Sequence, residues 1–479
     1  MNEEQLKIEL EKRFGYSDFK PGQVQPILSI LEGKNTLATL PTGTGKSLIY
    51  QLSGYLLEGI VIIISPLLSL MQDQVAQLKY MGEKRTAALN SMLTAEEKQF
   101  LLARVHKMKF LFLSPEMLQN NAVMARLKQS KIALFVVDEA HCISQWGLDF
   151  RSDYLSLGKS REALGNPLTL AVTATATPKV RQDILRSLNL SPEAVAVFEG
   201  AVNRDNIYYK TVAVQPEDKN AVLLDVIKAY PTPGIIYFSS KAQADAVTHL
   251  IKQKTDLRAE SYHADRSNED RITIQHQFLQ DELDIICATS AFGMGINKPN
   301  IRFVLHYHMP NSIEEYVQEV GRAGRDGNPC IAILFYAATD ASFKLRMLQN
   351  DFPSEALIEQ TVSSKKMAVE YATPTEETLL TYILQNNLSS TEAKAFVENR
   401  LNLKKEMLFK MKDYAETNRC KREIIAHYFG KEFDEKPEFC CSSCGDEEPY
   451  MERFRPARDA FSKKVQDGWG KIVSDLFLL

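Results

Sequence analysis

Short apolar runs separated by longer amphipathic stretches are the feature that most narrows the folds open to this chain. Five lie in the first 200 residues: Thr36–Leu40, Ile60–Ser65, Phe110–Ser114, Ile132–Val137 and Leu168–Thr173. Each is rich in Ile, Val, Leu or Phe, and helix-like segments separate them. That is the pattern of a parallel sheet covered on both faces. Residues 207–340 repeat it with Gly234–Phe238, Leu283–Ala288, Ile301–His306 and Cys330–Tyr336. The fold class is therefore α/β, with two such domains in tandem, joined near Glu199–Asn206. No short-period repeat or low-complexity tract interrupts them.

After about Ala341 the strand signals stop. Residues 354–430 read as helices, with Leu379, Leu380, Ile383 and Leu384 at helical spacing. Residues 375–401 read as two helices joined by a turn at Asn386–Ser389, the second opened by Ser390 with Ala393. A packing element is expected there, with a DNA-reading helix-turn-helix as the alternative. The stretch Glu452–Leu479 puts Phe461, Val465, Trp469, Ile472 and Leu476 on one helical face, suited to docking on the body or on a partner. The expected divisions are 1–203, 204–340, 341–450 and 451–479.

The bulk numbers exclude little. With 479 residues there is room for three domains at roughly 150 each. Hydrophobic content of 44% and charged content of 25% are ordinary for a soluble protein. No apolar run reaches the ~18 residues of a membrane span. The opening MNEEQLKIELEKRFGY lacks a secretory apolar core. A cytoplasmic protein, without a membrane partner, is expected. The net charge of −4 does not announce nucleic-acid binding. It does not exclude it, because local patches and backbone amides neutralise phosphates.

Leu40-Pro-Thr-Gly-Thr-Gly-Lys-Ser47 follows a strand and precedes a helix-like segment. It matches a phosphate-binding loop, with Leu40 in place of the first glycine. Thr42 to Gly45 form the turn, and Gly43 and Gly45 let backbone amides face phosphate oxygens. Lys46 would reach the β- and γ-phosphates of ATP, and Ser47 would hold Mg²⁺. Asp138-Glu-Ala-His141 follows the apolar run Ile132–Val137. A carboxylate at the tip of a buried strand is costly without a metal or polar partner. Asp138 is the second candidate Mg²⁺ ligand, and Glu139 the base for the attacking water. Tyr316-Val-Gln-Glu-Val-Gly-Arg-Ala-Gly-Arg-Asp-Gly327 supplies Arg322 and Arg325 from the second domain. Arginine is permanently charged and can bind two phosphate oxygens. Placed on the other domain, such a finger makes hydrolysis depend on closure. Thr173-Ala-Thr175 fits a hydroxyl-bearing coupling element.

These stretches together resemble superfamily 2 helicases, and the finer likeness is to the RecQ family. That resemblance implies two tandem RecA-like domains followed by a helical zinc-binding subdomain. Phe14-Gly-Tyr16 and Phe19-Lys-Pro-Gly-Gln23 resemble the family's adenine-recognition segment, implying that Gln23 reads the adenine edge between Tyr16 and Lys20. The family often has Arg at the place of Lys20. Ala140-His-Cys-Ile-Ser-Gln-Trp-Gly-Leu-Asp-Phe-Arg151 resembles the aromatic-rich loop that links DNA contact to hydrolysis. Gln145, Trp146, Phe150 and Arg151 would then touch DNA, with Leu148 standing where the family usually has His. Ser65–Asp73 and Ser114-Pro-Glu116 resemble DNA-contacting motifs of the first lobe. Tyr237–Ser240, Tyr262–Ala264 and Ala288–Lys298 resemble those of the second. Ser65, Ser239, His263 and Thr289 are the DNA-contact candidates they carry. Asp265 replaces a usual glycine. The resemblance is dense over residues 8–340 and loose over 341–445.

Of seven cysteines, Cys142, Cys287 and Cys330 sit in or beside apolar runs and read as small buried hydrophobes. Cys420, Cys440, Cys441 and Cys444 cluster, which in a cytoplasmic chain suggests metal rather than disulfides. Cys441 and Cys444 form a C-x₂-C pair. By resemblance to the RecQ zinc subdomain the four would hold structural Zn²⁺, with His427 the alternative to Cys440. The 35 residues after Cys444 are too few for the winged-helix and terminal helical domains that many RecQ proteins carry, so a short form is expected. The resemblance implies a 3′-to-5′ DNA helicase of recombination and repair, nucleoid-associated when on DNA. Its partners would be single-stranded and partly duplex DNA, with a single-strand-binding or repair protein as a further candidate. The competing readings are an RNA helicase or remodelling ATPase, and a non-enzymatic DNA-binding scaffold.

Overall fold

The computed structural model describes residues 1–445 apart from 91, 145–151, 294–297, 368–371 and 434, without the side chains of residues 69 and 152. Seven strands build the first sheet: β1 (Asn35–Thr39), β2 (Ile60–Ile64), β3 (Thr86–Leu89), β4 (Phe110–Leu113), β5 (Ile132–Val137), β6 (Thr169–Thr173) and β7 (Val195–Glu199). Their order is β3-β4-β2-β5-β6-β1-β7. Six build the second: β8 (Ile207–Ala213), β9 (Gly234–Tyr237), β10 (Ala259–Tyr262), β11 (Ile285–Ala288), β12 (Phe303–His306) and β13 (Cys330–Tyr336). Their order is β10-β11-β9-β12-β13-β8. All pairings within both sheets are parallel.

The nine strands expected from apolar runs are the interior ones. Residues of β2, β4 and β13 are buried throughout, because helices cover both faces. The four strands that the runs did not mark, β3, β7, β8 and β10, are the four sheet edges. An edge strand has one neighbour and carries polar residues. Thus β7 has one buried position followed by half-buried and exposed ones in alternation, and β10 reads Ala-Glu-Ser-Tyr.

Beyond the second sheet lie helices Asp340–Asn350, Glu355–Ser364, Pro374–Gln385, Ser390–Glu416 and Lys421–Tyr428. The 27-residue helix Ser390–Glu416 spans about 40 Å. Its first turns join Phe352, Ile358, Leu379, Leu380 and Ile383 in a small separate core through Ala393 and Val397. Its last turns sink Leu408, Met411 and Tyr414 into the core of the second lobe. Each such side chain contributes about 1.5–3 kcal/mol, so the helix ties the two bodies together. The pair around residues 386–389 is thus a packing element. The cap is Ser389, one residue earlier than expected, because Glu392 completes a reciprocal capping box with it.

The cysteine-bearing segment attaches to an edge. Cys441 bridges Tyr209 of β8, Ser442 N–H donates to the Tyr209 carbonyl at 2.8 Å, and the Tyr208 hydroxyl donates to the Gly445 carbonyl at 3.0 Å. Cover of this kind blunts an otherwise open strand edge. Among the described residues no helix is long and apolar enough to cross a membrane. The stretch Glu452–Leu479 lies outside the described residues.

Candidate active site

Parallel α/β sheets place ligands beyond the carboxyl ends of their strands. The loop after β1 follows that rule. Leu40 N–H donates to the Thr173 carbonyl at 3.0 Å, which pins the loop to β6. Gly43 (φ 90°) and Gly45 (φ 74°) both take left-handed backbone, and helix Lys46–Leu56 starts immediately after. Residues with a Cβ rarely adopt that conformation, which accounts for glycine at both places. The amides at this helix start are oriented for an anion. The Lys46 ammonium donates to the Leu40 carbonyl at 3.3 Å, folding the side chain back over the loop. Burial pulls its pKa down, and the Glu139 and Asp138 carboxylates oppose that.

Gln23 and Lys20 hold the loop from below. The Gln23 amide donates to the Thr44 carbonyl at 2.7 Å and the Gly45 carbonyl at 3.1 Å, and its oxygen accepts from Lys20 N–H. Lys20 Nζ donates to the Gly43 carbonyl at 2.9 Å. Two of the adenine-recognition candidates, Lys20 and Gln23, are thus brought to the phosphate loop, and the third, Tyr16, is exposed.

Asp138 and Glu139 follow β5. Asp138 is buried, and its carboxylate accepts from Glu139 N–H at 3.0 Å. Burial first, then the Glu139 charge, pushes its pKa up to about 7, while Lys46 pulls it down. Glu139 takes left-handed backbone (φ 46°). Its Oε2 is buried, 3.4 Å from His141 Nδ1 and without a hydrogen bond. The same His141 nitrogen lies 2.9 Å from Thr173 Oγ1, which donates to the Thr175 carbonyl. The buried Asp138 carboxylate is a hard oxygen donor of the kind a divalent cation takes, and Glu139 beside it keeps one buried oxygen unbonded. The threonine segment is therefore wired to the acidic pair.

The second lobe faces this loop with arginine. A Cβ built on Gly43 would meet Arg325 Cγ at 2.8 Å, and one built on Gly321 would meet Thr42 Cβ at 3.0 Å. Burial first, then Arg322 and Arg204, lowers the Arg325 pKa to about 9. A guanidinium held against this loop can bind two phosphate oxygens at once. Arg322 is placed differently: its guanidinium donates to the Gly293 carbonyl of its own lobe. Arg204, in the segment between the sheets, was not foreseen from the sequence. Its charge acts on both Lys20 and Arg325. Nothing in Asn203-Arg-Asp-Asn206 marks it as more than a linker cation.

The DNA-contact candidates are scattered among strand ends. Ser65 is buried, with its hydroxyl unpartnered. Ser239 N–H donates to His308 Nδ1 at 3.2 Å, and Thr289 N–H to the Tyr262 carbonyl at 3.1 Å. His263 is buried, with Nε2 3.1 Å from Asp245. Asp265 pairs with Lys241 at 2.6 Å, which spends its charge locally. Gln145, Trp146, Leu148, Phe150 and Arg151 lie outside the described residues.

The sulfurs of Cys420, Cys440, Cys441 and Cys444 all lie within 4.8 Å of one another. Hydrogen bonding from Cys440 pulls the Cys441 thiol pKa down, toward the thiolate that a metal needs. Among the described residues His427 does not join the cluster. Four convergent thiols of this size fit a tetrahedral Zn²⁺ site with no open position. Cys142, Cys287 and Cys330 are buried, as their settings suggested.

A phosphate loop heading one parallel sheet, met across a cleft by arginine from a second, defines the class of two-lobed nucleotide-driven motors. The chain matches the DEAD/DEAH box helicase family over residues 20–184, the helicase conserved C-terminal domain over 218–327 and the RecQ zinc-binding family over 379–445. It is 42% identical over 494 residues to a protein of Bacillus subtilis described as probable ATP-dependent DNA helicase RecS, covering 99% of this chain and 98% of that one. It is 35% identical to the ATP-dependent DNA helicase RecQ of Pasteurella multocida, covering 90% of this chain and 61% of that one. The chain belongs to the RecQ family of ATP-dependent DNA helicases. The fold alone is shared with the helicase MrfA in a DNA-bound structure, at a TM-score of 0.59 and 15% identity over 71% of this chain and 52% of that one.

Proposed function

We propose that this chain couples ATP hydrolysis to 3′-to-5′ movement along single-stranded DNA, opening duplexes in recombination and repair. The observation that carries the coupling is the seating of Arg325 against Gly43. One lobe holds the phosphate loop and the other holds the charge, so hydrolysis requires the lobes to close.

Within the site, Lys46 and the loop amides would bind the β- and γ-phosphates. Ser47 and Asp138 would hold Mg²⁺, which when bound neutralises phosphate charge. Glu139, with a free buried oxygen, would orient the attacking water and accept its proton. Its neighbour His141 would report that event to Thr173 through their 2.9 Å contact. Arg325 would stabilise charge on the γ-phosphate as the bond to the leaving oxygen breaks. Cys420, Cys440, Cys441 and Cys444 would hold Zn²⁺ as a structural ion, and a reducing cytoplasm would keep their thiols available.

DNA would lie along the strand ends carrying Ser239, His263 and Thr289. Trp146 and Phe150 would stack on bases and Arg151 would bind phosphate, by likeness to the family loop. Side-by-side unwinding of a fork, a 3′-tailed duplex and a 5′-tailed duplex tests this reading. ATP-dependent opening of the fork and the 3′-tailed duplex is expected. Opening of the 5′-tailed duplex alone would reverse the polarity, and opening of none would remove strand separation from the function.

A further inference from the structure

Among the described residues Arg422 is the largest fully buried side chain, at 0% exposed. Burying a guanidinium is expensive unless every donor is satisfied. Here main-chain carbonyls satisfy it. It donates to the Cys440 carbonyl at 3.2 Å, the Arg204 carbonyl at 3.0 Å, the Asp205 carbonyl at 3.2 Å and the Ile207 carbonyl, and it lies over the Tyr209 ring at 5.2 Å. Asn203 returns a bond from the linker to the Arg422 carbonyl at 3.2 Å. One side chain therefore joins the cysteine knuckle to the segment between the two lobes. A hydrophobic side chain could fill the same volume without the desolvation cost. What it could not supply is a fixed register between the two segments.

The linker continues the connection. The Arg204 side chain donates to the Gly321 carbonyl at 3.0 Å and to the Gly324 carbonyl. Asn206 adds a bond to the Gly324 carbonyl at 2.8 Å. These two glycines flank Arg322, and Gly324 immediately precedes Arg325. Gly324 itself is held in left-handed backbone (φ 53°), and a Cβ there would strike Asn206 Nδ2 at 2.5 Å. The chain of bonds thus runs from the carbonyl of a cysteine in the metal cluster to the residue before Arg325.

We propose that Arg422 and Arg204 are positioning residues, forming a relay through which the zinc knuckle sets where Arg325 stands against the phosphate loop. This rests on the reading of Arg325 as the finger that acts on the γ-phosphate. In this arrangement the knuckle acts on hydrolysis from the β8 edge of the second sheet, without touching nucleotide. A misplacement of about 1 Å at a reacting group can cost on the order of 100-fold in rate, so a loosened relay reads out in turnover.

The test uses the full chain with R204Q, R422Q and the double variant. Steady-state ATP hydrolysis, zinc per chain and amide exchange over residues 321–327 are measured for each. The relay predicts a kcat lower by about tenfold or more in R204Q, with KM for ATP within threefold, zinc retained and faster exchange over 321–327. R422Q should do the same, and the double variant should be no worse than the worse single one, because both cut one path. Multiplying effects in the double variant would overturn the relay. So would an R204Q protein that keeps its zinc and turns over within twofold of wild type. Where R422Q loses zinc or fails to fold, R204Q decides by the same criteria. R325A is the separate control: undiminished turnover there removes the finger reading, while exchange over 321–327 still judges the relay.

Discussion

A Cβ placed on Gly43 would lie 2.8 Å from Cγ of Arg325, so the phosphate loop of one lobe and an arginine of the other already meet in close contact. Glycine is required there twice over. Its φ of 90° suits only glycine, and the absent side chain makes room for the arginine.

Arg325→Ala should therefore lower kcat for ATP hydrolysis by about 10³-fold, with KM for ATP changed by less than about threefold. Lys46→Ala should also abolish hydrolysis while DNA binding is retained. Arg322→Ala differs in kind, since Arg322 is tied to the Gly293 carbonyl of its own lobe. Steady-state ATPase assays with fluorescence-anisotropy DNA binding check all three. Turnover by Lys46→Ala near the wild-type rate would remove the site assignment.

Trp146→Ala is expected to keep basal ATPase and to lose most of its stimulation by single-stranded DNA. The loop from Gln145 to Arg151 follows directly on Ser144, whose segment carries His141 and reaches Thr173. A base stacked on Trp146 contributes roughly 1–3 kcal/mol, enough to shift the His141 segment. The ratio of ATPase rates with and without DNA measures the effect, and an unchanged ratio contradicts the coupling.

Cys444→Ser should lower zinc below one ion per chain and reduce the melting temperature by about 5 °C or more, since losing even ~2 kcal/mol shifts a unit of this size by several degrees. Cys440→Ser should behave alike, because all four sulfurs lie within 4.8 Å. Metal analysis with thermal melts decides. A Cys440→Ser protein that keeps its full zinc would return the fourth position to another residue.

His306 Nε2 and Glu319 Oε2 lie 2.7 Å apart in the core of the second lobe. Burial lowers the His306 pKa to about 3 and raises that of Glu319 to about 8, with Arg322 and Lys344 opposing the rise. The neighbouring Glu315, raised by burial, and Lys344, lowered by it, face the same pair. The folded protein thus keeps a proton on Glu319 that the unfolded chain releases above about pH 4.3. That contribution to stability is complete below about pH 4.3 and is lost as pH rises toward 8. His306 has the opposite sign, losing stability below about pH 6.5. Glu319→Gln keeps a donor for His306 without a titrating proton. Its melting temperature should fall less than that of wild type between pH 6 and 8.5, and parallel slopes would disprove the protonated pair.

Much of this architecture was legible in the chain itself. All nine interior strands announce themselves, because burial on both faces demands a continuous apolar run. The four edges do not, since Ala-Glu-Ser-Tyr in β10 satisfies one neighbour and solvent at once. Of the site, the stretches before and after Gly45, the acidic pair after β5 and the four cysteines were readable from spacing. Which of Arg322 and Arg325 reaches the other lobe was not. The two are three residues apart, and only the turn at Gly324 aims one across the cleft and the other inward.

The sequence by itself determined the elements and the chemistry: glycines where the loop must bend, carboxylates at a strand tip, thiols in a cluster. Those are local consequences of backbone freedom, desolvation and ligand type. Only the tertiary structure decided the connections, such as Gly43 against Arg325 and Arg422 against the linker carbonyls. Arg422 and Arg204 stand 218 residues apart, and a hydrogen bond between them leaves no mark on either stretch of sequence. Packing of two sheets and a zinc knuckle brings them together, and that packing belongs to the whole chain.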